Sequence, residues 1–259
     1  RWVLIGSLAG ILTFTALSFL RAPSIVWGLM AIVPYLVLTD PKRRLVSFAW
    51  CVALLVPLGQ ESLRDNIYWS PYYKVETTAK DGMPGFMEIR ANRVPHQLMA
   101  PAQWKIEQGE HIYEMPYNRL PVGDLGNVLI IGAGSGSDVA IALSKGAKSV
   151  DAVDIDPVIM ELGAAHNIDR PYGDPRVTRH VDDGRAFLQN TDKKYDLVLF
   201  ALPDSLTLVS GASQIRLESF LFTDEALQSV NRVLTEDGAF AMYNYYREDW
   251  LIDRLAGTA

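Results

Sequence analysis

One cysteine, Cys51, stands in 259 residues, and it lies inside an apolar run. That excludes a disulfide framework and a thiolate metal site. The four histidines, His96, His111, His166 and His180, show no metal-ligand spacing, so no metal is expected. Positive charge is scarce as well. Lys and Arg number 24 against 30 Asp and Glu, a net charge of -6 with no basic stripe, which argues against a nucleic-acid partner. Repeats and low-complexity segments are missing too.

What the chain has in excess lies at its start. Trp2 to Leu20 is nineteen residues without a charge, Ala22 to Thr39 a further eighteen, and Leu45 to Gln60 sixteen. About twenty apolar residues span a bilayer, so residues 1–60 are expected to form two or three transmembrane segments, the first the best candidate. The third is short and holds Pro57, which suits a tilted, re-entrant or interfacial segment. A lipid bilayer is thus an expected partner. A cleaved signal peptide fits poorly, because several apolar segments follow one another. The basic loop Lys42-Arg43-Arg44 belongs on the cytoplasmic side by the positive-inside rule. An integral inner- or plasma-membrane protein with the domain that follows in the cytoplasm is expected; a fully spanning third segment would put that domain outside, so either the segment does not cross or upstream helices override the loop. Both termini read as cut: residue 1 is Arg, and the chain stops soon after the last core strand.

Residues 61–120 read as a connector, Glu61 to Ser70, followed by a small β-domain. Its strands are Tyr72 to Thr78, Phe86 to Ala91 and Val94 to Met99, the first two joined by the hairpin turn Lys80-Asp81-Gly82. A helix over Glu107 to Arg119 is expected to lead into the last domain, residues 121–259. There strand and helix alternate: 127–132, 138–144, 149–154, 157–166, 176–181, 184–190, 195–201, 223–234 and 238–243. That pattern predicts an α/β fold, a doubly wound, Rossmann-like parallel sheet of the class I methyltransferase kind. Pro157, and Thr223 with Asp224, are helix start signals.

The chemistry-bearing stretch is Asn127-Val-Leu-Ile-Ile-Gly-Ala-Gly-Ser-Gly-Ser-Asp138. A buried apolar strand runs into Gly132, Gly134 and Gly136, and a helix follows. Side chains at the glycines would keep a ligand off the backbone and the helix N-terminus. Asp154 follows about twenty residues on, at the end of the next strand, where an acid accepts from ribose hydroxyls. This is a nucleoside-cofactor site. Two details favour an adenosylmethionine-type ligand over a dinucleotide: Ser137 stands where the dinucleotide fingerprint wants its third glycine or alanine, and a third strand ends in Asp182-Asp183-Gly184. An acid there can accept from an adenine amino group; it can equally cap the helix from Arg185 to Gln189.

From Tyr68 to Tyr246 the residues resemble the spermidine synthase family, the polyamine aminopropyltransferases, in the version fused to N-terminal membrane helices. The matching pieces are Tyr68-Trp-Ser-Pro-Tyr-Tyr-Lys-Val75, Val94-Pro-His-Gln97, Glu110-His-Ile-Tyr-Glu-Met115, Val153-Asp-Ile-Asp-Pro157, Asp174-Pro-Arg-Val-Thr-Arg-His-Val-Asp-Asp-Gly184 and Phe222-Thr-Asp-Glu225. The resemblance implies a transferase of polyamine biosynthesis. It would bind decarboxylated S-adenosylmethionine, pass its aminopropyl group to a small-molecule amine acceptor and release methylthioadenosine. It also implies site roles. Gln97 would line the cofactor or amine pocket, Gly132 and Gly134 would admit the cofactor, Asp154 would hold the ribose and Asp183, beside Gly184, the adenine. Asp204 would act on the amine, because a cationic acceptor needs carboxylates to hold it and to take its proton.

The chain departs from the family at two acids: Ser135 stands in the glycine turn, and Ala201-Leu-Pro-Asp204 retains one acid of an Asp-x-x-Asp pair. An atypical acceptor is therefore expected. Two alternatives stand beside it, a methyltransferase using intact S-adenosylmethionine and a non-catalytic nucleoside-sensing membrane protein. Asp138 and Glu114 are further acids that could compensate for the missing ones; helix-dipole stabilisation for Asp138 and a solvated face for Glu114 are the readings favoured here. Tyr243-Asn-Tyr-Tyr246 supplies an aromatic pocket or packing, and Gly211 to Arg216 a substrate lid or a surface loop. The acceptor's identity, and whether the protein forms a homo-oligomer, stay open at this point.

Overall fold

In a computed structural model of the chain, the described residues are 2–108, 112–118, 120, 125–201, 221–243 and 249–258. They fall into two compact units, Arg1–Thr77 and Thr78–Ala259.

The first unit opens with three apolar helices, α1 (Trp2–Phe19), α2 (Ser24–Leu38) and α3 (Arg44–Ser62). α1 ends on Arg21, whose positive φ of 55° lets the Ala22 amide reach back to the Leu17 carbonyl, and Pro23 then forbids continuation. α2 and α3 pack closely because Gly28 faces Leu55 and Leu58; a methyl on Gly28 would come within 2.6 Å of Leu58 Cδ1. Side chains serve the open helix ends: the Ile25 amide donates to Ser62 Oγ, and Ser24 Oγ donates to the Leu58 carbonyl. Among the described residues one helix, α3, is long and apolar enough to cross a membrane, with a mean hydropathy of 1.4; α1 and α2 are shorter apolar helices. α3 runs unbroken through Pro57 to Ser62. After α3 the expected connector contains a strand, β1 (Ile67–Trp69), antiparallel to β2 (Lys74–Ala79), which runs across the boundary of the units.

The second unit begins with the antiparallel pair β3 (Met87–Ala91) and β4 (Val94–Met99). They turn through Asn92 and Arg93, both at positive φ, the geometry whose twist suits a two-residue hairpin. The register passes from Ile89 opposite Gln97 to Arg90 opposite Pro95, so His96 is an extra residue on β4. The hairpin turn expected at Lys80 to Gly82 is wider: residues 80–86 close it with the Lys80 amide on the Phe86 carbonyl, and Gly85 packs on Ile168. The single helix expected over 107–119 is replaced by α4 (Ala102–Glu107) and α5 (Met115–Asn118). Pro101 starts α4, and Pro116 is confined to the first turn of α5 because proline has no amide to donate further along a helix.

The remaining elements are β5 (Asn127–Ile131), α6 (Ser137–Ser144), β6 (Ser149–Asp154), α7 (Pro157–His166), a 3-10 turn (Pro171–Gly173), β7 (Val177–Val181), α8 (Gly184–Asn190), β8 (Tyr195–Ala201), α9 (Asp224–Val233), β9 (Leu234–Tyr243) and α10 (Asp249–Thr258). The five strands are parallel in the order β7-β6-β5-β8-β9. β5 is buried on both faces, as a parallel strand between helical layers must be. Val128 and Ile130 join Val139, Leu197 and Tyr243 on one side, while Leu129 and Ile131 join Leu188, Phe200 and Val230 on the other. Asp156 caps α7 by accepting from the Val158 amide at 2.8 Å, with Pro157 at the first position, and Thr223 caps α9. The strand order reverses between β5 and β8, and in such sheets ligands bind beyond the carboxyl ends of the strands at that point.

Away from that end, Asp151 of β6 is buried. Lys193 Nζ lies 2.7 Å and His180 Nε2 2.9 Å from its oxygens, and the Tyr195 hydroxyl donates at 3.1 Å. Burial pushes its carboxyl up, but these partners outweigh burial and hold it below the usual carboxylate range.

Candidate active site

The glycine turn after β5 sits at the reversal point. Gly132, Gly134 and Gly136 have φ of 80°, 53° and 91°, which bulkier residues rarely adopt. Side chains from elsewhere clamp its backbone. Asp154 Oδ2 accepts from the Gly134 amide at 2.8 Å, and Gln97 Oε1 accepts from the Ser135 amide at 2.9 Å. The Tyr172 hydroxyl donates to the Gly134 carbonyl at 2.7 Å, and Asn167 Nδ2 donates to the Ser135 carbonyl at 2.9 Å. A methyl on Gly134 would lie 2.8 Å from Gln97 Nε2, and one on Gly163 of α7 would lie 2.5 Å from the Ser135 carbonyl oxygen. The turn is thus packed closely by the protein itself, its polar groups at Gly134 and Ser135 being held by side chains.

Asp154 ends β6 with both oxygens engaged, Oδ1 accepting from the Asp156 amide at 2.8 Å. Each oxygen carries a second lone pair that a ribose hydroxyl can use. Burial pushes its pKa up to about 6, against the lowering effect of the Asp156 and Gly134 amides. Asp183 ends the loop after β7, and its Oδ1 caps α8 by accepting from the Ala186 amide at 2.9 Å. Gly184 has a packing reason of its own, since a methyl there would lie 2.4 Å from Ile131 Cγ2.

The structure thus brings Gln97, Gly132, Gly134 and Asp154 together, and places Asp183 and Gly184 at the end of the neighbouring strand β7, with the Asp182 amide donating to the Asp154 carbonyl at 3.1 Å. Asp204 lies outside the described residues, as do Gly211 to Arg216 and Asn244 to Tyr246. Ala201 ends β8, buried, opposite Tyr243. Glu114, expected on a solvated face, pairs with Lys145 Nζ at 2.5 Å and so ties the approach to α5 to the end of α6. Asp138, expected to serve the helix dipole from a surface, is buried, and the Tyr243 hydroxyl donates to it. Sequence reasoning missed Asn167 and Tyr172. Their only signal was position in the segment between α7 and β7. Among the described residues no group of three or more His, Cys, Asp or Glu is placed to hold a metal ion.

Fold and turn together define a class: a doubly wound, class I methyltransferase-like sheet with a glycine turn at the carboxyl edge where its strand order reverses. The family follows from comparison. Residues 107–253 match the spermine/spermidine synthase domain, and the chain belongs to that family. Among curated relatives, the polyamine aminopropyltransferase of Alkaliphilus metalliredigens is 28% identical over 144 residues, 53% of this chain and 48% of that protein. The enzyme of the same name from Serratia proteamaculans is 30% identical over 146 residues, 53% of this chain and 47% of its own length. The chain spans about half the length of these relatives. Among solved structures, the spermidine synthase of Thermotoga maritima superposes with a TM-score of 0.51 at 17% identity, covering 73% of this chain and 62% of its own. A spermidine synthase in complex with the transition-state analogue AdoDATO gives the same score and identity over 67% and 55% of the two chains. These likenesses fix the fold.

Proposed function

We propose that the protein is an aminopropyltransferase: it binds decarboxylated S-adenosylmethionine and transfers its aminopropyl group to an amine acceptor through an acceptor site of its own kind. The observation that carries this is Asp154 at the carboxyl end of β6, gripping the Gly134 amide while Gln97 reaches over from β4 to the next amide of the turn. That arrangement leaves a crevice in which Asp154 meets the ribose, Gly132 and Gly134 admit the nucleoside, and Asp183 with Gly184 faces the adenine. The polyamine aminopropyltransferase relatives support the reaction class.

In the transfer, the acceptor nitrogen loses a proton to a carboxylate. Its lone pair then forms a bond to the carbon beside the sulfonium, and the carbon–sulfur bond breaks. Its electron pair goes to sulfur, leaving neutral methylthioadenosine. Asp204 is the base in this reading. The apolar helices α1 to α3 anchor the enzyme in a bilayer with the nucleoside site on the cytoplasmic side. Exposures of 81% at Val3, 85% at Leu38 and 81% at Leu45 support this, because so much apolar surface is costly in water.

The test is mass spectrometry of the nucleoside product. Full-length protein in detergent is incubated with decarboxylated or intact S-adenosylmethionine and a pool of amines. Methylthioadenosine formed only from the decarboxylated form is the expected result. Adenosylhomocysteine from the intact form would replace the proposal with a methyltransferase, and binding without either product would replace it with a nucleoside sensor.

A further inference from the structure

The buried carboxylate that the glycine turn does not use is Asp138. It stands in the first turn of α6 and is 8% exposed. Taking a carboxylate out of water costs several kcal/mol unless donors compensate. One donor is the Tyr243 hydroxyl, and Tyr243 ends β9 in register with Ala201 at the end of β8. Asp138, in the first turn of the helix that follows the glycine turn, is thereby tied to the carboxyl edge of the sheet.

Tyr117 of α5 adds an independent observation. Its hydroxyl is buried and, among the described residues, has no hydrogen-bond partner. Burial first, and then the charge of Asp138, push its phenol up. Tyr172, which clamps the glycine turn, is pushed up by burial and then by the charges of Asp154 and Asp138. A buried hydroxyl without a partner carries the cost of its lost hydration and calls for an explanation. Tyr117 packs against the core cluster that also holds Tyr113, Tyr172 and Tyr243, so its oxygen and the carboxylate held by Tyr243 are acceptors set among aromatic rings. An alkylammonium fits that description: it brings three donors, no acceptor and a positive charge that aromatic faces attract.

We propose that Asp138, with the hydroxyls of Tyr117 and Tyr243, forms the subsite that holds the cationic nitrogen of the amine acceptor. This rests on the transferase reading above and deepens it by naming the residues that recognise the second substrate. Asp138 supplies the charge and Tyr117 a further oxygen. Tyr243 orients the carboxylate.

The experiment titrates full-length protein, saturated with methylthioadenosine, with butane-1,4-diamine and with butane-1,4-diol by calorimetry. The wild type is expected to bind the diamine at least about tenfold more tightly than the diol. Asp138→Asn is expected to erase that preference while methylthioadenosine affinity stays within about twofold. Tyr117→Phe removes an unpaired hydroxyl, so it is expected to keep or raise the melting temperature and still weaken the diamine about three- to tenfold. A purely structural Asp138 would leave diamine affinity unmoved by Tyr117→Phe. An undiminished diamine preference in both variants overturns the subsite, and aminopropyl transfer stands if methylthioadenosine still forms. A wild type that releases no product, yet loses diamine binding on Asp138→Asn, keeps the subsite and overturns the transferase. A wild type with no preference for the diamine overturns the subsite outright.

Discussion

Lowering the pH through about 6 is expected to loosen the hold on a nucleoside, and Asp154 is the reason. Its folded pKa of about 6 lies well above the ordinary value of 3.8, with burial the largest cause. Between those two values the folded chain keeps a proton that the unfolded chain has released. In the ligand-free protein this group therefore supports folding at low pH and withdraws that support as pH rises through about 6. Ligand binding runs the opposite way. Ribose hydroxyls donate, so they bind the ionised carboxylate best, and the dissociation constant should scale as one plus ten to the power of pKa minus pH. At pH 5 that is about an elevenfold loss relative to pH 7.5, or about 1.4 kcal/mol. Calorimetric titration of methylthioadenosine across that range measures it directly. Asp154→Asn keeps an acceptor oxygen for the Gly134 amide and removes the charge, so it should flatten the profile and weaken binding by about 1.5–3 kcal/mol at pH 7.5. Asp154→Ala, which also frees the Gly134 and Asp156 amides, is expected to abolish binding. A flat wild-type profile, or the same slope in Asp154→Asn, would refute the assignment of the ribose to this acid.

Three further outcomes separate the site from its scaffold. Gly134→Ala places a methyl against the Gln97 amide at a φ of 53°, so nucleoside affinity should fall at least about tenfold and the melting temperature should drop. Asp151→Ala removes partners from Lys193, His180 and Tyr195 at the other end of the sheet. Because Lys193 is half-exposed, about 2–3 kcal/mol of stability should be lost in urea melts, with nucleoside affinity unchanged. The wild-type share of that stability is present above the ordinary Asp range and fades as pH falls through the lowered folded value. Asp204→Ala should bind methylthioadenosine normally and fail to release it from substrate; full turnover in that variant would remove Asp204 from the mechanism.

The core elements were legible because their signals are local. β6, α7, α8 and β8 occupy the spans that periodicity and caps predict, Asp156 with Pro157 being a start signal complete within three residues. Errors fell where long-range structure decides. β1 was hidden in a polar stretch because its partner is β2, and the 107–119 helix failed at Pro116. In the apolar region the uncharged runs come within a residue of where α1 and α2 end, at Phe19 and Leu38, and α3 continues through Pro57 to Ser62.

The same distinction divides the site. Glycines at 132, 134 and 136 are visible in sequence because the backbone itself needs them, and Asp154 follows at a spacing set by one βαβ unit. The clamp is invisible there, since the Ser135 amide finds its acceptor in Gln97, 38 residues earlier, and the Gly134 carbonyl its donor in Tyr172, 38 residues later. Asp138 shows the limit most clearly. An acid in the first turn of a helix has an adequate local explanation in the dipole, and sequence can set a compensating role beside it without deciding between the two. Its hydroxyl partner is Tyr243, 105 residues away on the last strand of the sheet. A local rule can account for such a residue and still miss what it is for, because a charge kept out of water needs a partner and a dipole does not require burial.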